Sequence, residues 1–214
     1  MTAARIIQLL AEEETKLVDR LFPANAKRMS VAFTAPERRS GCSWLVSRIA
    51  QRLAERVPGS ACVVDANLHW PSLHMLFGIP NERGLIQAAM QPEEPIRNFT
   101  AAVPNSKLWL LPSGGTLSEA TGAVSPEAMK ARIAELARDF EYILIDTPAM
   151  KGGADSAGAG RLANGVVIVV AANASRREAA VNTRLALEAA NVPILGAVLN
   201  RRTFPIPDRI YQYL

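Results

Sequence analysis

The stretch that decides the fold of this chain is Ala35-Pro36-Glu37-Arg38-Arg39-Ser40-Gly41-Cys42-Ser43-Trp44. It follows a short apolar run at 29–34 and leads into a segment, 45–57, whose apolar residues recur at helical spacing. A strand, a tight loop and a helix in this order are the setting of a phosphate-binding loop, in which backbone N–H groups at a helix N-terminus face an anion. Cys42 stands where such a loop needs a lysine, so the sequence leaves open whether phosphate is still bound.

The rest of the chain alternates apolar runs with helical stretches. Because the runs are apolar on both faces, they predict strands of a sheet that is covered by helices on both sides. Ser125-Pro126 and the capping box Ser175-x-x-Glu178 are typical helix starts. We therefore predict an α/β fold with a mostly parallel central sheet of about six to eight strands. The predicted strands are 29–34, 61–64, 108–111, 142–145, 166–171 and 194–199, and the predicted helices are 45–57, 84–90, 126–138, 156–162 and 176–190.

The N-terminal segment, 2–22, has the apolar spacing of an amphipathic helix, and Pro23 ends it. We expect this helix, within residues 1–27, to pack on a single domain formed by 28–214. The segment 91–107 has no clear period and is predicted to be a surface connection.

Composition limits the classes of function. A chain of 214 residues that is 49% hydrophobic can bury one sizeable core. Its formal charge of +4 is spread along the chain, and its densest basic clusters are only pairs of arginines, which does not indicate a nucleic-acid partner. Two isolated cysteines favour a reducing cytoplasm over a disulfide framework. No apolar run approaches the roughly 18 residues needed to cross a bilayer, so any membrane contact is expected through a partner.

Polar residues follow several of the predicted strands. In doubly wound sheets ligands bind at the carboxyl ends of the strands, so these residues are expected to meet at one edge. Asp65 and Asp146 end two strands, and Ser43 lies in the loop after a third. A serine hydroxyl and carboxylates in this arrangement are typical of a magnesium–nucleotide site.

Three motifs in the right order carry a family resemblance. They are Val64-Asp65-Ala66-Asn67-Leu68-His69-Trp70-Pro71-Ser72-Leu73-His74-Met75-Leu76-Phe77-Gly78, then Tyr142-Ile143-Leu144-Ile145-Asp146-Thr147-Pro148, then Val198-Leu199-Asn200-Arg201-Arg202. With the loop, they resemble the MinD/ParA-type P-loop ATPases. Within these the chain is most similar to the cytoplasmic tyrosine-kinase domain of bacterial capsule and exopolysaccharide synthesis, the BY-kinases. The match runs from about residue 29 to 214 and implies a three-layer P-loop NTPase-like fold.

The resemblance also implies roles for individual residues. It places ATP or ADP against Gly41, Cys42, Ser43 and Trp44, with Asn200 meeting the adenine. It places Mg²⁺ against Ser43, Asp65 and Asp146, of which the two aspartates are the catalytic candidates. The phosphoacceptor candidates are Tyr211 and Tyr213, which remain from a tail that is rich in tyrosine in the family.

The departures from the family pattern fall on the chemistry. Pro36 replaces the first glycine of the loop and has no backbone N–H, and Cys42 replaces the lysine that normally neutralises the β- and γ-phosphates. Asn67 replaces the aspartate that the resemblance implies as the base for the incoming tyrosine. Arg38 or Arg39 is an alternative source of positive charge at the phosphates. The family's ring-forming Glu-x-x-Arg-x-x-Arg pattern is reduced to Glu13, Lys16 and Asp19.

Three functions are compatible with this sequence. The first is a BY-kinase-like protein of exopolysaccharide or capsule synthesis or export that is catalytically degraded and regulatory or scaffolding. The second is an active ATP-dependent tyrosine kinase with an atypical loop, and the third is a MinD/ParA-like positioning ATPase. The expected partner is a membrane-bound polysaccharide co-polymerase, another BY-kinase-like subunit or a second copy of this chain.

Overall fold

The computed structural model describes residues 3–23, 28–118, 124–150 and 162–201. The predicted helix at 156–162 falls outside this part of the chain except for its last residue, and Tyr211 and Tyr213 also lie outside it. The helices are α1 (Ala3–Leu21), α2 (Cys42–Arg56), α3 (Leu73–Phe77), α4 (Leu85–Met90), α5 (Pro126–Asp139) and α6 (Arg177–Ala189). The strands are β1 (Met29–Thr34), β2 (Ala61–Asp65), β3 (Ala101–Ala102), β4 (Leu108–Leu111), β5 (Tyr142–Asp146), β6 (Gly165–Ala171) and β7 (Ile194–Asn200).

The strands form one seven-stranded sheet in the order β3-β4-β2-β5-β1-β6-β7. Every neighbouring pair is parallel except β3 with β4. Because β1 lies between β5 and β6, the loop that follows it starts at the middle of the carboxyl edge. The predicted α/β fold with a mostly parallel sheet is confirmed.

Helices cover both faces of the sheet. One face packs against α2 and α3, through residues such as Ile49, Leu53 and Leu73, and against the end of α1. The other face packs against α4, α5 and α6, through residues such as Leu85 and Leu136. Side chains alternate between the two cores along each strand, so both faces must be apolar, and this explains the continuous apolar runs. The result is three layers.

Helix α1 is attached to α2 by apolar contacts and by a cluster of charges. Val18 and Leu21 are buried in the core that α2 shares. Glu14 is only 8% exposed and accepts hydrogen bonds from Arg48 Nε at 2.9 Å, Arg48 Nη2 at 3.0 Å and Arg52 Nε at 3.2 Å. A carboxylate this enclosed is stabilised only while its cations are in place.

The structure adds elements that periodicity did not predict. Helix α3, a 3₁₀ helix at Ile96–Phe99 and the two-residue strand β3 all lie where no regular apolar pattern was found. The prediction of 91–107 as a surface connection is wrong in part, because the 3₁₀ helix buries Ile96 and Phe99 and β3 joins the sheet. The capping box at Ser175 is wrong: α6 begins at Arg177, and the Ser175 hydroxyl accepts a hydrogen bond from Ala171 N at 3.0 Å instead. None of the described helices combines the length and the apolar character that crossing a membrane requires.

The Glu14 cluster gives a test of how α1 is attached. Glu14→Ala leaves two arginines without their enclosed carboxylate, so we expect the free energy of unfolding in urea to fall by about 2 kcal/mol. Glu13→Ala is the matched control, because Glu13 is exposed and its ion pair with Lys16 one turn away is screened by water, so its effect on stability should be much smaller. Equal effects of the two substitutions would contradict docking through Glu14.

Candidate functional site

The loop at 35–41 forms one wall of a cavity of about 750 Å³ at the carboxyl edge of the sheet. The first turn of α2 continues this wall. The remaining walls come from the segments after three other strands: Asn67, His69 and Trp70 after β2, 147–149 after β5, and Arg201 after β7. The cavity therefore lies where a doubly wound sheet places its ligand.

The loop backbone is held in an unusual conformation by the end of β7. Arg39 and Gly41 have φ angles of 64° and 79°, in the left-handed region that suits glycine best. Asn200 Nδ2 donates hydrogen bonds to Ser40 O at 2.9 Å and Gly41 O at 3.3 Å. A Cβ on Gly41 would lie 2.7 Å from Asn200 Nδ2, so glycine is required here for space as well as for φ. Asn200 was predicted to contact adenine, and in the structure its Nδ2 group donates to the loop carbonyl groups.

The first turn of α2 has no side-chain cap. Gly41 occupies the N-cap position and offers no side-chain acceptor to the N–H groups of the first turn. Cys42, Ser43 and Trp44 make up this turn, and all three line the cavity. Uncapped N–H groups and the positive end of the helix dipole together favour an anion at this point.

Cys42 does not supply the positive charge of the lysine it replaces. Its side chain packs partly against the core below α2. Burial of the thiol, followed by the nearby Asp146 carboxylate, raises the pKa of Cys42 well above its usual value. The side chain is therefore a neutral thiol at physiological pH.

Asp146 is the most enclosed charged group of the site. It ends β5 directly beside Asp65 at the end of β2, and it is fully buried. Neither carboxylate oxygen makes a hydrogen bond of ordinary length and angle with the described residues, although the Ser43 and Cys42 side chains lie close to the carboxyl group. Burial first, and then the charge of Asp65, raise the pKa of Asp146 to about 8, although the nearby Ser43 and Cys42 side chains act to lower it. This carboxyl group needs either a proton or a cation.

Both carboxylate oxygens of Asp65 accept hydrogen bonds from backbone N–H groups. Its Oδ2 accepts hydrogen bonds from Ser72 N and Leu73 N, both at 2.9 Å, and its Oδ1 accepts a longer one from Asn67 N at 3.3 Å. Burial raises the pKa of Asp65 to about 6, and these N–H groups oppose the rise. The residue thus holds the start of α3, which explains a short helix without apolar periodicity.

The donor set matches a magnesium–nucleotide site only in part. Ser43 and Asp146 are the residues that could hold Mg²⁺, because a hydroxyl and a carboxylate are ligands that it accepts. Asp65 has its oxygens engaged by N–H groups. No cluster of three or more histidine, cysteine or acidic side chains suited to a metal occurs in the described ranges. With a neutral Cys42 against the phosphates, the residues do not fit tightly held magnesium–ATP.

The cavity mouth combines arginines with indole rings. The Arg38 guanidinium lies 3.8 Å from the centroid of the Trp70 ring. Arg39 and Arg201 line the same cavity, and the Arg201 Nε atom would be 3.1 Å from a Cβ on Gly41. The sequence suggested Arg38 and Arg39 as sources of positive charge at the site but assigned no such role to Arg201. The only indication for Arg201 was its position directly after the strand that ends in Asn200.

The chain is similar in sequence to known bacterial proteins. No family model matches it. It is 26% identical over 138 residues to the tyrosine-protein kinase YwqD of Bacillus subtilis, covering 64% of this chain and 58% of that protein. It is 23% identical over 187 residues to the putative tyrosine-protein kinase CapB of Staphylococcus aureus, covering 86% and 80%. The chain therefore spans little more than half of the first relative.

Solved structures agree with these relatives at the level of the fold. The chimerical protein CapA2B2 superposes with a TM-score of 0.78 at 21% identity, covering 90% of this chain and 85% of that one. The septum site-determining protein MinD of Pyrococcus horikoshii, complexed with Mg-ADP, gives a TM-score of 0.70 at 18% identity, covering 86% and 76%. The resemblance predicted from the motifs is confirmed: the chain has the fold of the MinD/ParA-type P-loop ATPases, and its relatives include bacterial tyrosine-protein kinases.

Proposed function

We propose that this chain is a BY-kinase-like P-loop protein that does not transfer phosphate and acts as a regulatory or scaffolding subunit in capsule or exopolysaccharide synthesis. The observation that carries the proposal is the neutral, partly buried Cys42 at the position of the phosphate-binding lysine. The pathway is inferred from the tyrosine-kinase relatives, and the scaffolding role is inferred from the loss of chemical groups.

The expected loss of nucleotide affinity can be estimated. A charge-assisted hydrogen bond contributes about 1.5–3 kcal/mol, so replacing the lysine by a neutral thiol weakens phosphate binding by roughly one to two orders of magnitude. Pro36 removes one backbone N–H from the loop in addition. Together these changes weaken nucleotide binding, which suits a subunit that works without turnover.

The described part of the site also lacks a general base for phosphoryl transfer. Asn67 lines the cavity where the resemblance implies an aspartate, and a carboxamide does not take a proton from a hydroxyl group. Asp65 has three backbone N–H groups on its oxygens, so it is a weak substitute for that base. We infer that the partner of this protein supplies whatever catalysis the pathway needs. That partner is a membrane-bound polysaccharide co-polymerase or a second kinase-like subunit, met at the cytoplasmic face of the membrane.

A second candidate function is an active tyrosine kinase with a rearranged loop. It is favoured by Arg38, Arg39 and Arg201, which line the cavity and could replace the lysine charge. Ser43 and Asp146 would then hold Mg²⁺, whose role would be to neutralise the phosphate charge. This candidate leaves the missing base unexplained.

The proposal is tested by phosphoryl transfer. Incubated with magnesium and ATP labelled in the γ-phosphate, the wild-type protein should acquire no label. The double variant Cys42→Lys/Asn67→Asp restores both lost groups and should bind ATP at least about tenfold more tightly, because the lysine charge returns. Cys42→Ser/Asn67→Asp is the matched control, since serine leaves the position neutral. Labelling of the wild-type protein would overturn the proposal.

The buried Asp146 carboxyl predicts a particular dependence of stability on pH. Its pKa in the folded protein, about 8, exceeds its value in an unfolded chain, so folding takes up a proton between about pH 4 and pH 8. The stabilisation present at acid pH is therefore lost as the pH rises through this window. Asp146→Asn has no proton to lose, and its free energy of unfolding relative to wild type should rise by about 1 kcal/mol or more from pH 5 to pH 8. Urea unfolding at both pH values measures this, and a difference that is independent of pH would contradict a protonated Asp146.

A further inference from the structure

We propose that the cavity binds a phosphotyrosine side chain of a partner protein. The inference rests on the proposed function, since a subunit that does not transfer phosphate is free to use its phosphate loop for recognition. Two features of the cavity support it: the charge of its lining and the indole rings at its mouth.

The charge of the lining suits a phosphate monoester. Among the described residues, the formally charged side chains that line the cavity are three arginines and one glutamate, Arg38, Arg39, Arg201 and Glu37, and their charges sum to an excess of two positive charges. A phosphotyrosine carries about −1.5 to −2 charges at neutral pH. The uncapped first turn of α2 adds backbone N–H donors at the same place. Arginine also binds phosphate through two parallel N–H groups, a geometry that lysine does not offer.

The mouth of the cavity suits an aromatic ring. Trp44 and Trp70 line it and are 48% and 57% exposed, which is unusual for side chains with so much apolar surface. Arg38 stacks on Trp70, with its guanidinium 3.8 Å from the ring centroid. Trp70 therefore presents an aromatic surface next to a cation of the cavity, whereas Arg48 beside Trp44 is paired with Glu14. A phenyl ring bearing phosphate uses both the aromatic surface and the cations, whereas a phosphoserine uses only the cations.

A nucleoside triphosphate would compete for the cavity, but residues of the same site weaken its binding. Cys42 is neutral, and Asp65 holds α3 through its oxygens. A triphosphate needs the lysine and the metal to balance its charge. A monoester dianion is balanced by the arginines alone.

Binding of short peptides tests the proposal. The probes are three fluorescently labelled pentapeptides, Gly-Gly-X-Gly-Gly, in which X is phosphotyrosine, tyrosine or phosphoserine, followed by fluorescence anisotropy with the whole chain. We expect the phosphotyrosine peptide to bind at least about tenfold more tightly than either of the others. Arg38→Ala and Arg201→Ala should each weaken that binding at least about fivefold. Arg184→Ala should leave it unchanged, because Arg184 lies on α6 and pairs with Glu188.

The outcomes separate this proposal from the proposed function. Equal binding of the three peptides, or no binding at millimolar concentration, would overturn the phosphotyrosine site alone. Loss of binding in Arg184→Ala equal to that in Arg201→Ala would also overturn it, because the effect would then be one of overall charge. Transfer of label from ATP to the tyrosine peptide would overturn the proposed function. Unchanged thermal unfolding of the arginine variants establishes that they are folded.

Discussion

The site depends on one constraint, the enclosure of the Asp146 carboxyl group between the central strands and the start of α2. Asp146 lies beside Asp65 across the β2–β5 pair, and the side chains of Cys42 and Ser43 approach it from the loop. In a P-loop enzyme a lysine and a metal would supply positive charge around such a carboxylate. Here the thiol supplies none, so the described residues leave the group either protonated or dependent on an added cation.

Around this carboxyl group, the backbone of the site and its side chains lead to different conclusions. The loop keeps the backbone of a phosphate cradle, because Asn200 holds the carbonyl groups of Ser40 and Gly41 in place. The groups that would act on a nucleotide are neutral or engaged elsewhere, while cations gather at the mouth as Arg38, Arg39 and Arg201. The cavity is thus better equipped to hold an anion than to activate one.

Much of the fold was predictable because buried parallel strands must be apolar on both faces, and 142–145 and 166–171 show this without interruption. Helix α3 was not predictable in this way, because the hydrogen bonds from Ser72 N and Leu73 N to Asp65, rather than an apolar stripe, fix its start. Strand β3 is too short to show a period. Arg201 lies near the loop because the sheet order places the end of β7 only one strand, β6, away from β1, and the local sequence around Arg201 does not show this order. The assignments of nucleotide and metal to individual residues stay predictions.

We propose that the loop has kept its fold and no longer binds nucleotide tightly. Isothermal titration calorimetry of the wild-type chain with ATP in excess magnesium measures this directly. A site that binds with a dissociation constant of about 10 µM when its lysine is present would, after a weakening of one to two orders of magnitude, bind at about 0.1–1 mM, so no saturable heat is expected below about 100 µM ATP. A saturable isotherm with a dissociation constant of about 10 µM or below would contradict the account, since that affinity needs a phosphate site in working order.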